Sequence, residues 1–416
     1  MFGLDDYRWL VSDEGRRAWE MFLAQNAQSD HRALPNTLRT HDRCTAHQSR
    51  LLLEQRRLAL GPARRKFADP SQWFWTSQLV EQASDEFTAA ETAKDFPSHS
   101  LIVDACCGAG SDAVALAKST NRVTAVDQDS IACTLTRANS DSHGVPLRCI
   151  SSPIEQLPAD SEYYLHIDPD RRSHTSRTIH LDRMSPSWNQ IAGWIGNYRG
   201  VSLKLAPGSR MPSEIPFGKS GPPSSMRWLS RDGSVRQQRW YWNIDRWPSN
   251  HRIVSVEQKN GSWHHEAFPS INAQESNRAL DARDALSNYI ADQDPGLRAA
   301  ECCNRLADRL GIQCVGNAMG YYHADRIVMH PFLRWFRVFD VLPADRKKLR
   351  AYTREHPVRS WELKSRNVDV DLDALRKDLI VNQDAEAQRT LLMTRIGERY
   401  VAIIAEPIHP HEIHCQ

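Results

Sequence analysis

Short apolar runs that end in polar or acidic residues alternate with helix-forming stretches through the middle of the chain. The runs predict strands at 101–105, 122–126, 145–150, 163–167 and 200–205. Strands that alternate with helices favour a parallel sheet whose two faces are covered by helices. We therefore expect an α/β domain over residues 91–275, with its first strand directly after Ser100.

The segment before this domain follows a different pattern. Residues 1–90 carry apolar positions at helical spacing without a β-branched run, which predicts a helical region. It ends with the aromatic cluster Trp73-Phe74-Trp75. Such a cluster could stack on a base, but large aromatic side chains more often bury against a neighbouring domain, so we expect a docking core.

The segment after the α/β strands predicts hairpins and then a third domain. Asp232-Gly233 and Asn260-Gly261 separate alternating segments, and both dipeptides favour tight hairpin turns. Residues 276–406 combine a helix from Asp294 to Gly311 with later strands and helices at 336–342, 345–354, 371–379 and 400–404. This pattern predicts an α+β domain, followed by a tail over 407–416.

Three of the predicted strands end in an aspartate. Asp104 closes the first strand, before Gly108 and Gly110, Asp127 closes the second, and Asp168 closes the fourth. Ligands in open α/β sheets bind beyond the carboxyl ends of the strands, so these three acids are expected to line one crevice. The glycines permit a sharp turn that a ligand can approach closely.

The two acids nearest the glycines indicate the ligand. Asp127 suits the hydroxyl groups of a ribose. The spacing Gly108-x-Gly110-x-x-Ala113 also fits a dinucleotide site. However, the Asp104 carboxylate would repel a pyrophosphate and attract an ammonium group. S-adenosylmethionine carries an ammonium and a ribose, so it is favoured over NAD and over a structural turn without a ligand.

These motifs resemble those of a bacterial group of class I S-adenosylmethionine-dependent methyltransferases with a C-terminal THUMP-like domain. The motifs are Asp104 to Asp112, which reads D-x-C-C-G-x-G-x-D, then Asp168-Pro169-Asp170-Arg171-Arg172, then Lys204-Leu205-Ala206-Pro207-Gly208. Segments 336–343, 363–371 and 394–397 extend the resemblance, which spans about residues 66 to 406. It implies a Rossmann-like sheet, an N-terminal helical region, a C-terminal α+β THUMP-like domain and methyl transfer to a base of tRNA or rRNA.

The resemblance also implies site residues in three groups. The catalytic group is Asp168, Pro169 and Asp170. The cofactor-binding group is Asp104, Cys106, Gly108, Gly110, Asp112, Asp127, Gln128 and Ser152. The group expected to hold RNA phosphate is Arg171, Arg172 and Lys204, since charged forks and ammonium groups suit phosphate.

Two departures from the family pattern affect this assignment. After the third strand the family usually has an acid for the adenine amino group, where this chain has Ser151-Ser152. Amino-group methyltransferases usually follow the fourth-strand acid with Pro-Pro and an aromatic residue, where this chain has Asp170-Arg171-Arg172. The adenine contacts and the target atom are therefore left open.

Charge distribution favours RNA as the partner. The 416 residues carry a net charge of only +2, yet residues 32–66 hold nine Lys and Arg against two acids, and residues 334–366 hold ten against four. Basic segments around a catalytic domain suit a polyanion. A small-molecule or protein methyltransferase and a non-catalytic RNA-binding protein remain the alternatives.

Cysteine usage and apolar patterning favour a cytoplasmic protein. The nine cysteines lack zinc-type pair spacing, and the pairs 106–107 and 302–303 are adjacent, so we expect reduced thiols and no metal. A nucleophilic Cys106 or Cys107 would allow ring-carbon methylation, but packing as small hydrophobic groups is favoured. A metal at the tail residues His409, His411, His414 and Cys415 is not favoured either, because chain ends fray. We expect neither a membrane span nor a signal peptide.

Overall fold

The structure is a computed structural model, and it describes residues 2–25, 44–120, 122–170, 172–173, 176–177, 181–211, 221–270, 286–316 and 320–408. The chain divides into two compact units. The first comprises Met1–Met226 and Arg236–Ser249, and the second comprises Arg227–Val235 and Asn250–Gln416. The finer division at residues 90 and 275 stays a prediction.

The described residues form helices and strands that are numbered here in chain order. The helices are α1 Leu4–Val11, α2 Asp13–Gln25, α3 Ala46–Leu60, α4 Ser77–Gln82, α5 Glu86–Ala93, α6 Ser111–Thr120, α7 Ser130–Ser142, α8 Trp188–Ile195, α9 Pro295–Ala299, α10 Cys303–Leu310, α11 Arg346–Glu355 and α12 Leu372–Asp378. The strands are β1 Leu101–Ala105, β2 Arg122–Asp127, β3 Arg148–Ser151, β4 Tyr163–Ile167, β5 Arg172–Ser173, β6 Ser176–Arg177, β7 Gly200–Leu205, β8 Ser225–Arg231, β9 Ser234–Trp242, β10 His251–Glu257, β11 Trp263–Pro269, β12 Tyr289–Gln293, β13 Gln313–Val315, β14 Tyr321–Ala324, β15 Leu333–Pro343, β16 Ser360–Ser365, β17 Gln388–Ile396 and β18 Arg399–Pro407.

The sheet of the first unit contains the strands that the apolar runs predict. Its order is β9-β7-β4-β1-β2-β3, with parallel pairing from β7 to β3 and an antiparallel β9. The α/β fold with a Rossmann-like sheet is thereby confirmed. The third strand begins at Arg148 rather than at Val145, and Pro146, which has no backbone N–H to donate, lies in the segment that stays outside the ladder.

The two faces of this sheet differ in polarity. One face buries Leu165, Leu203 and Trp240 in an apolar core with α8. On the other face, neighbouring strands pair Asp104 with His166 and Lys204 with Arg239. Because side chains alternate along a strand, one apolar face and one face with buried charges arise from the same five-residue runs.

Within the first unit, the N-terminal helices pack against α6 and α7 through the predicted aromatic cluster. Trp73, Phe74 and Trp75 are all buried, with Trp75 at 0% exposure. The Asn139 side chain accepts a hydrogen bond from the Phe74 N–H (2.7 Å), and Gln55 bonds both the N–H and the carbonyl of Trp75. The docking-core prediction is confirmed.

The second unit contains a seven-stranded sheet in the order β13-β14-β12-β15-β18-β17-β16. Helices α11 and α12 bury Leu349 and Leu375 against it. The helix expected from Asp294 to Gly311 is instead two helices, because Glu301 adopts a φ of 54° between α9 and α10. Asp294 caps α9 through the Gly296 N–H and Gly311 ends α10 in the left-handed conformation, as predicted.

The predicted hairpin turns are present, with a φ of 69° at Gly233 and 79° at Gly261.

Within the described part of the chain, every helix is too short or too polar to cross a bilayer.

Candidate active site

A cavity of about 250 Å³ lies at the carboxyl ends of β1, β2 and β4 in the first unit. It brings together most of the residues expected from the sequence. Those that line it are Asp104, Cys106, Gly108, Asp112, Asp127, Gln128, Ser152, Asp168, Pro169 and Asp170.

Asp104 is the most deeply buried acid of this cavity, with 1% exposure. Its Oδ1 lies 2.7 Å from His166 Nδ1 on the neighbouring strand, whereas its Oδ2 is buried without a hydrogen-bond partner among the described residues. Burial raises the pKa of Asp104, and the charge and hydrogen bond of His166 oppose that rise. A buried carboxylate oxygen without a partner is costly, so this atom suits a cationic ligand.

The glycine turn after β1 requires its glycines. Gly108 and Gly110 have φ values of 58° and 84°, in the left-handed region that other residues avoid. A Cβ on Gly110 would lie 2.8 Å from Thr136 Cγ2 and 2.9 Å from its Oγ1. The Thr136 hydroxyl donates to the Gly108 carbonyl (2.8 Å), so α7 holds the turn in place. Gly110 therefore packs against α7 and does not itself line the cavity.

Asp127 is tied to this turn by backbone groups. The N–H of Gly108 donates to its Oδ2 and the N–H of Asp129 donates to its Oδ1, both at 2.9 Å. Burial raises the pKa of Asp127 to about 6, although these two backbone N–H groups oppose the rise. The carboxylate that closes β2 therefore has a fixed orientation at the cavity edge.

Behind the cavity, the charged face of the sheet forms an ion-pair network around Lys204. The Lys204 ammonium lies 2.5 Å from Asp168 Oδ2, 2.5 Å from Ser84 Oγ and 3.4 Å from Asp112 Oδ2. Arg239, which is fully buried, donates to Asp112 Oδ1 (3.3 Å) and to Ser202 Oγ (3.1 Å).

This network determines the charge of Asp112. Burial alone would raise the pKa of Asp112, but Lys204, His166 and Arg239 together hold it well below its usual range. Asp112 is therefore ionised, and its oxygens are engaged by the Ser84 hydroxyl, Lys204 and Arg239.

The position of Lys204 corrects its expected role. Its side chain is only 6% exposed, and its ammonium contacts two carboxylates. An ammonium that is buried between carboxylates is not presented to a phosphate in solvent. Lys204 instead holds Asp168. Arg171 and the side chain of Arg172, the other two expected phosphate ligands, lie outside the described residues.

Asp168, Pro169 and Asp170 leave the sheet at the end of β4. The Asp168 N–H donates to the Ala105 carbonyl of β1 (3.2 Å), so the strand pairing extends to this residue. The Asp170 N–H and carbonyl bond to the backbone of Ser185 at 2.8 and 2.9 Å, and its Oδ1 accepts from Gln82 Nε2 of α4 (3.2 Å). Backbone hydrogen bonds to β1 and Ser185 and a side-chain hydrogen bond to α4 therefore hold this motif in place.

Several further residues at this site carry no linear motif. Gln82 and Ser84 of the N-terminal helical region line the cavity, and so does Glu155, which follows β3. Glu155 is exposed and accepts a hydrogen bond from Gln190 (2.8 Å). It lies four residues after Ser151. Its position in a short helical turn gave no separate signal.

His166 was also missed, although a signal was present. It is a polar residue inside the apolar run of β4, two positions before Asp168 and therefore on the same face.

The cavity-lining Cys106 has a pKa that burial and the nearby carboxylates of Asp127 and Asp168 raise well above its usual range. A thiol that stays protonated is a poor nucleophile, which disfavours the cysteine-dependent alternative.

The chain is similar to known methyltransferases. Residues 102–168 match the family model for a methyltransferase domain, and residues 333–407 match the model for a THUMP domain-like region. Two uncharacterized S-adenosylmethionine-dependent methyltransferases of Mycobacterium tuberculosis, from strains CDC 1551 / Oshkosh and ATCC 25618 / H37Rv, are each 26% identical over 329 residues. Each alignment covers 79% of this chain and 86% of the relative.

The fold has a counterpart among solved structures. The crystal structure of a candidate methyltransferase from Porphyromonas gingivalis W83 superposes with a TM-score of 0.73 at 16% identity, and the match covers 98% of both chains. This match shows the fold. The two domain matches and the Mycobacterium tuberculosis relatives show that the chain carries an S-adenosylmethionine-dependent methyltransferase domain followed by a THUMP domain-like region.

Proposed function

We propose that this methyltransferase transfers a methyl group to a base of a structured RNA, either tRNA or rRNA. The observation that carries the proposal is the meeting of Asp104, Asp127 and Asp168, from three different strands, in a single cavity. Two of these acids suit the two polar ends of S-adenosylmethionine, and the third is left for the group that receives the methyl.

At the cofactor end, the residues fit the donor chemically. The partnerless Oδ2 of Asp104 would take the ammonium of the methionine moiety, and Asp127 would take the ribose hydroxyls. Glu155 is our candidate for the adenine amino group, in place of the acid that Ser151 and Ser152 lack. When bound, S-adenosylmethionine supplies a methyl group on a positively charged sulfur.

At the target end, Asp168 would orient the acceptor. Lys204 holds its Oδ2, which leaves the second oxygen to accept a hydrogen bond from an amino group of the substrate base. Methyl transfer is an in-line displacement and depends mainly on alignment and on exclusion of water. The ion pair with Lys204 keeps the carboxylate in one position for that alignment.

The second unit supports a nucleic-acid substrate. Its THUMP-like region exposes cations along α11 and the neighbouring strands: Arg337, Lys347, Lys348, Arg354 and Arg359. Arg346 and Arg350, on the same helix, pair with Asp378. Phosphate contacts of this kind supply affinity and position a nucleic acid without reading its bases.

The test compares RNA from cells with and without the gene. Digestion to nucleosides and mass spectrometry should show one methylated base that disappears with the gene. RNA from the deletion strain should then accept labelled methyl groups from purified enzyme, and the Asp168→Asn variant serves as the matched control. Transfer of the label to proteins or to the low-molecular-mass fraction, with none in RNA, would contradict the proposed substrate.

A further inference from the structure

Three thiols that are far apart in the sequence meet beneath the glycine turn. Cys107 belongs to the turn, Cys133 to the first turns of α7 and Cys149 to β3. Their sulfur atoms all lie within 4.8 Å of one another, and Cys107 and Cys133 are buried. Among the described residues no cysteine forms a disulfide. We name these three residues the thiol cluster.

The spacing of the thiol cluster matches that of ligands to one metal ion. Two thiolates on a tetrahedral zinc are about 3.8 Å apart, since each Zn–S bond is about 2.3 Å. The three sulfur atoms of the cluster, all within 4.8 Å of one another, lie close to that separation. Small shifts of the side chains would therefore place all three sulfurs on one ion.

A route to the cluster is also present. A groove of about 450 Å³ in the first unit is lined by Cys133 and Ser151, together with Arg8, Arg16 and Arg137. The groove gives solvent access to Cys133, and a water molecule in it would supply a fourth ligand. The thiols of Cys133 and Cys149 donate weak hydrogen bonds to backbone carbonyls, at 3.3 to 3.5 Å.

A second group of candidate ligands, His264, Glu266 and His330 in the second unit, fits a metal less well. The Arg309 guanidinium already forms an ion pair with the Glu266 carboxylate, so a positive charge lies where a metal ion would bind. In addition, His330 Nδ1 accepts the Phe332 N–H (3.3 Å), which keeps the proton on Nε2, the nitrogen that faces Glu266. At the thiol cluster the nearest described cation, Arg137, donates to the Cys149 backbone carbonyl (3.3 Å) rather than to a sulfur atom.

We propose that Cys107, Cys133 and Cys149 bind one zinc ion, with water at the fourth position. The metal replaces the three thiol protons, so binding releases protons and weakens as the pH falls. The ion connects the glycine turn, α7 and β3. All three elements also form the cofactor cavity, through Gly108, Ala132 and Ser152. The site is structural and takes no part in the transfer of the methyl group.

The first test is the metal content of the full-length protein purified under reducing conditions. Elemental analysis should give one zinc per chain, and the same analysis identifies any other thiophilic ion, such as copper(I). Protein stripped with a chelator should take up one equivalent of added zinc. Its thermal midpoint should rise when it does so.

Single substitutions then locate the site. Cys133→Ala and Cys149→Ala should lose the bound zinc, whereas Cys314→Ala, which removes a buried thiol of the second unit, should retain it. Since an alanine variant could fail to fold, cobalt(II) provides a measurement on the unaltered chain. Cobalt bound by three thiolates gives an intense sulfur-to-metal charge-transfer band and the visible bands of tetrahedral coordination.

The outcomes separate clearly. Stoichiometric zinc, together with the cobalt spectrum and the loss of metal in the two cluster variants, supports the proposal. A reduced chain that neither contains nor takes up an equivalent of metal overturns it. A disulfide between two of the three cysteines, found by mass spectrometry of chain purified without reductant that also holds no metal, would overturn it too, and would assign the cluster to redox chemistry.

Discussion

The two ends of the cavity are built in different ways. At the cofactor end, backbone N–H groups of Gly108 and Asp129 orient Asp127, and Asp104 lies on the strand that leads into the same turn. At the proposed target end, the Asp168 carboxylate pairs with Lys204, and Lys204 pairs in turn with Asp112 of α6, which also pairs with Arg239 of β9. The first end uses local chain geometry, and the second uses charges from four separate elements.

Because the two ends are built differently, substitutions at each end should affect different properties. Removal of a carboxylate at the cofactor end takes away a ligand contact and should weaken cofactor binding. Removal of a group at the target end leaves other buried charges without their partner, so it should affect turnover and stability. The following predictions test that separation.

The largest expected effect is that of Asp104→Ala on cofactor affinity. The variant lacks the charge-assisted hydrogen bond to the ammonium, so Kd for S-adenosylmethionine should rise by about 100-fold or more, equivalent to roughly 2.7 kcal/mol. Isothermal titration calorimetry measures it directly. Glu20→Ala, at an exposed site on α2, is a suitable control for general effects of losing an acid. Unchanged affinity in Asp104→Ala would remove the cofactor assignment.

Asp168→Asn should separate turnover from cofactor binding. The amide keeps the shape but loses the charge that Lys204 pairs with, so we expect kcat to fall about 100-fold, in the range of catalytic carboxylates. The Kd for S-adenosylmethionine should change by less than about threefold, because the methionine and ribose contacts are retained. Single-turnover kinetics with the RNA substrate provides the measurement. Full activity would show that the base is oriented by another group.

Lys204→Met should reduce the stability of the protein more than the same substitution at an exposed lysine. The substitution leaves Asp168 without an ion-pair partner, and it leaves Asp112 paired with Arg239 alone. Removing one partner of a buried ion pair lowers the free energy of unfolding by about 3 kcal/mol or more. Urea unfolding of the full chain should reveal it, with the exposed Lys259→Met as control. If instead RNA affinity falls while stability is unchanged, Lys204 is a phosphate ligand after all.

The double substitution Lys347→Ala and Lys348→Ala should weaken RNA binding without affecting the cavity. Each lost phosphate contact lowers the steepness of the salt dependence, and we expect affinity to fall by roughly tenfold at physiological salt. Filter binding at several salt concentrations compares the variant with Lys259→Ala. If the double variant binds RNA with the affinity and the salt dependence of Lys259→Ala, α11 does not contact the RNA.

The smallest predicted effect is a pH dependence from Asp127. Its pKa of about 6 lies above the ordinary value of 3.8, so between these values the folded chain binds a proton that the unfolded chain has released. The contribution of Asp127 to stability is therefore present at low pH and is lost as the pH rises through about 6. Hydroxyl groups donate to the ionised carboxylate, so cofactor affinity should rise severalfold across the same window.

Calorimetry between about pH 5 and pH 7.5 measures this change, a range that brackets a pKa near 6. The Asp127→Asn variant should bind more weakly at neutral pH and should show a flatter pH profile. An identical profile in the variant would assign the titration to another group, such as Asp104, whose pKa burial also raises.

Local sequence patterns predicted much of this molecule. The strands at 101–105, 163–167 and 200–205 have the predicted bounds, since each is a short apolar run between turns. The hairpin glycines and the Asp294 cap also act over a few residues. The helix expected up to Gly311 was wrong because its apolar stripe continues across Glu301, where the backbone turns.

The assembly of charges was not accessible in the same way. Lys204 stands in a motif that begins inside β7, and nothing in that motif shows that Ser84, 120 residues earlier, and Asp112 contact it. Glu155, His166 and the three thiols of the proposed zinc site are likewise joined only by packing. Their separations along the chain follow no short period.

Patterns along the chain were sufficient to predict the strands, the glycine turn and the acids at the strand tips, because each depends on interactions between residues close along the chain. The motifs also predicted a methyltransferase region ahead of a THUMP-like region. The tertiary structure decided which face of the sheet holds the buried charges, that Lys204 holds Asp168, and that α4 contributes to the cavity. These outcomes depend on electrostatic and packing interactions between distant segments, whose energies exist only after the sheet and helices have come together.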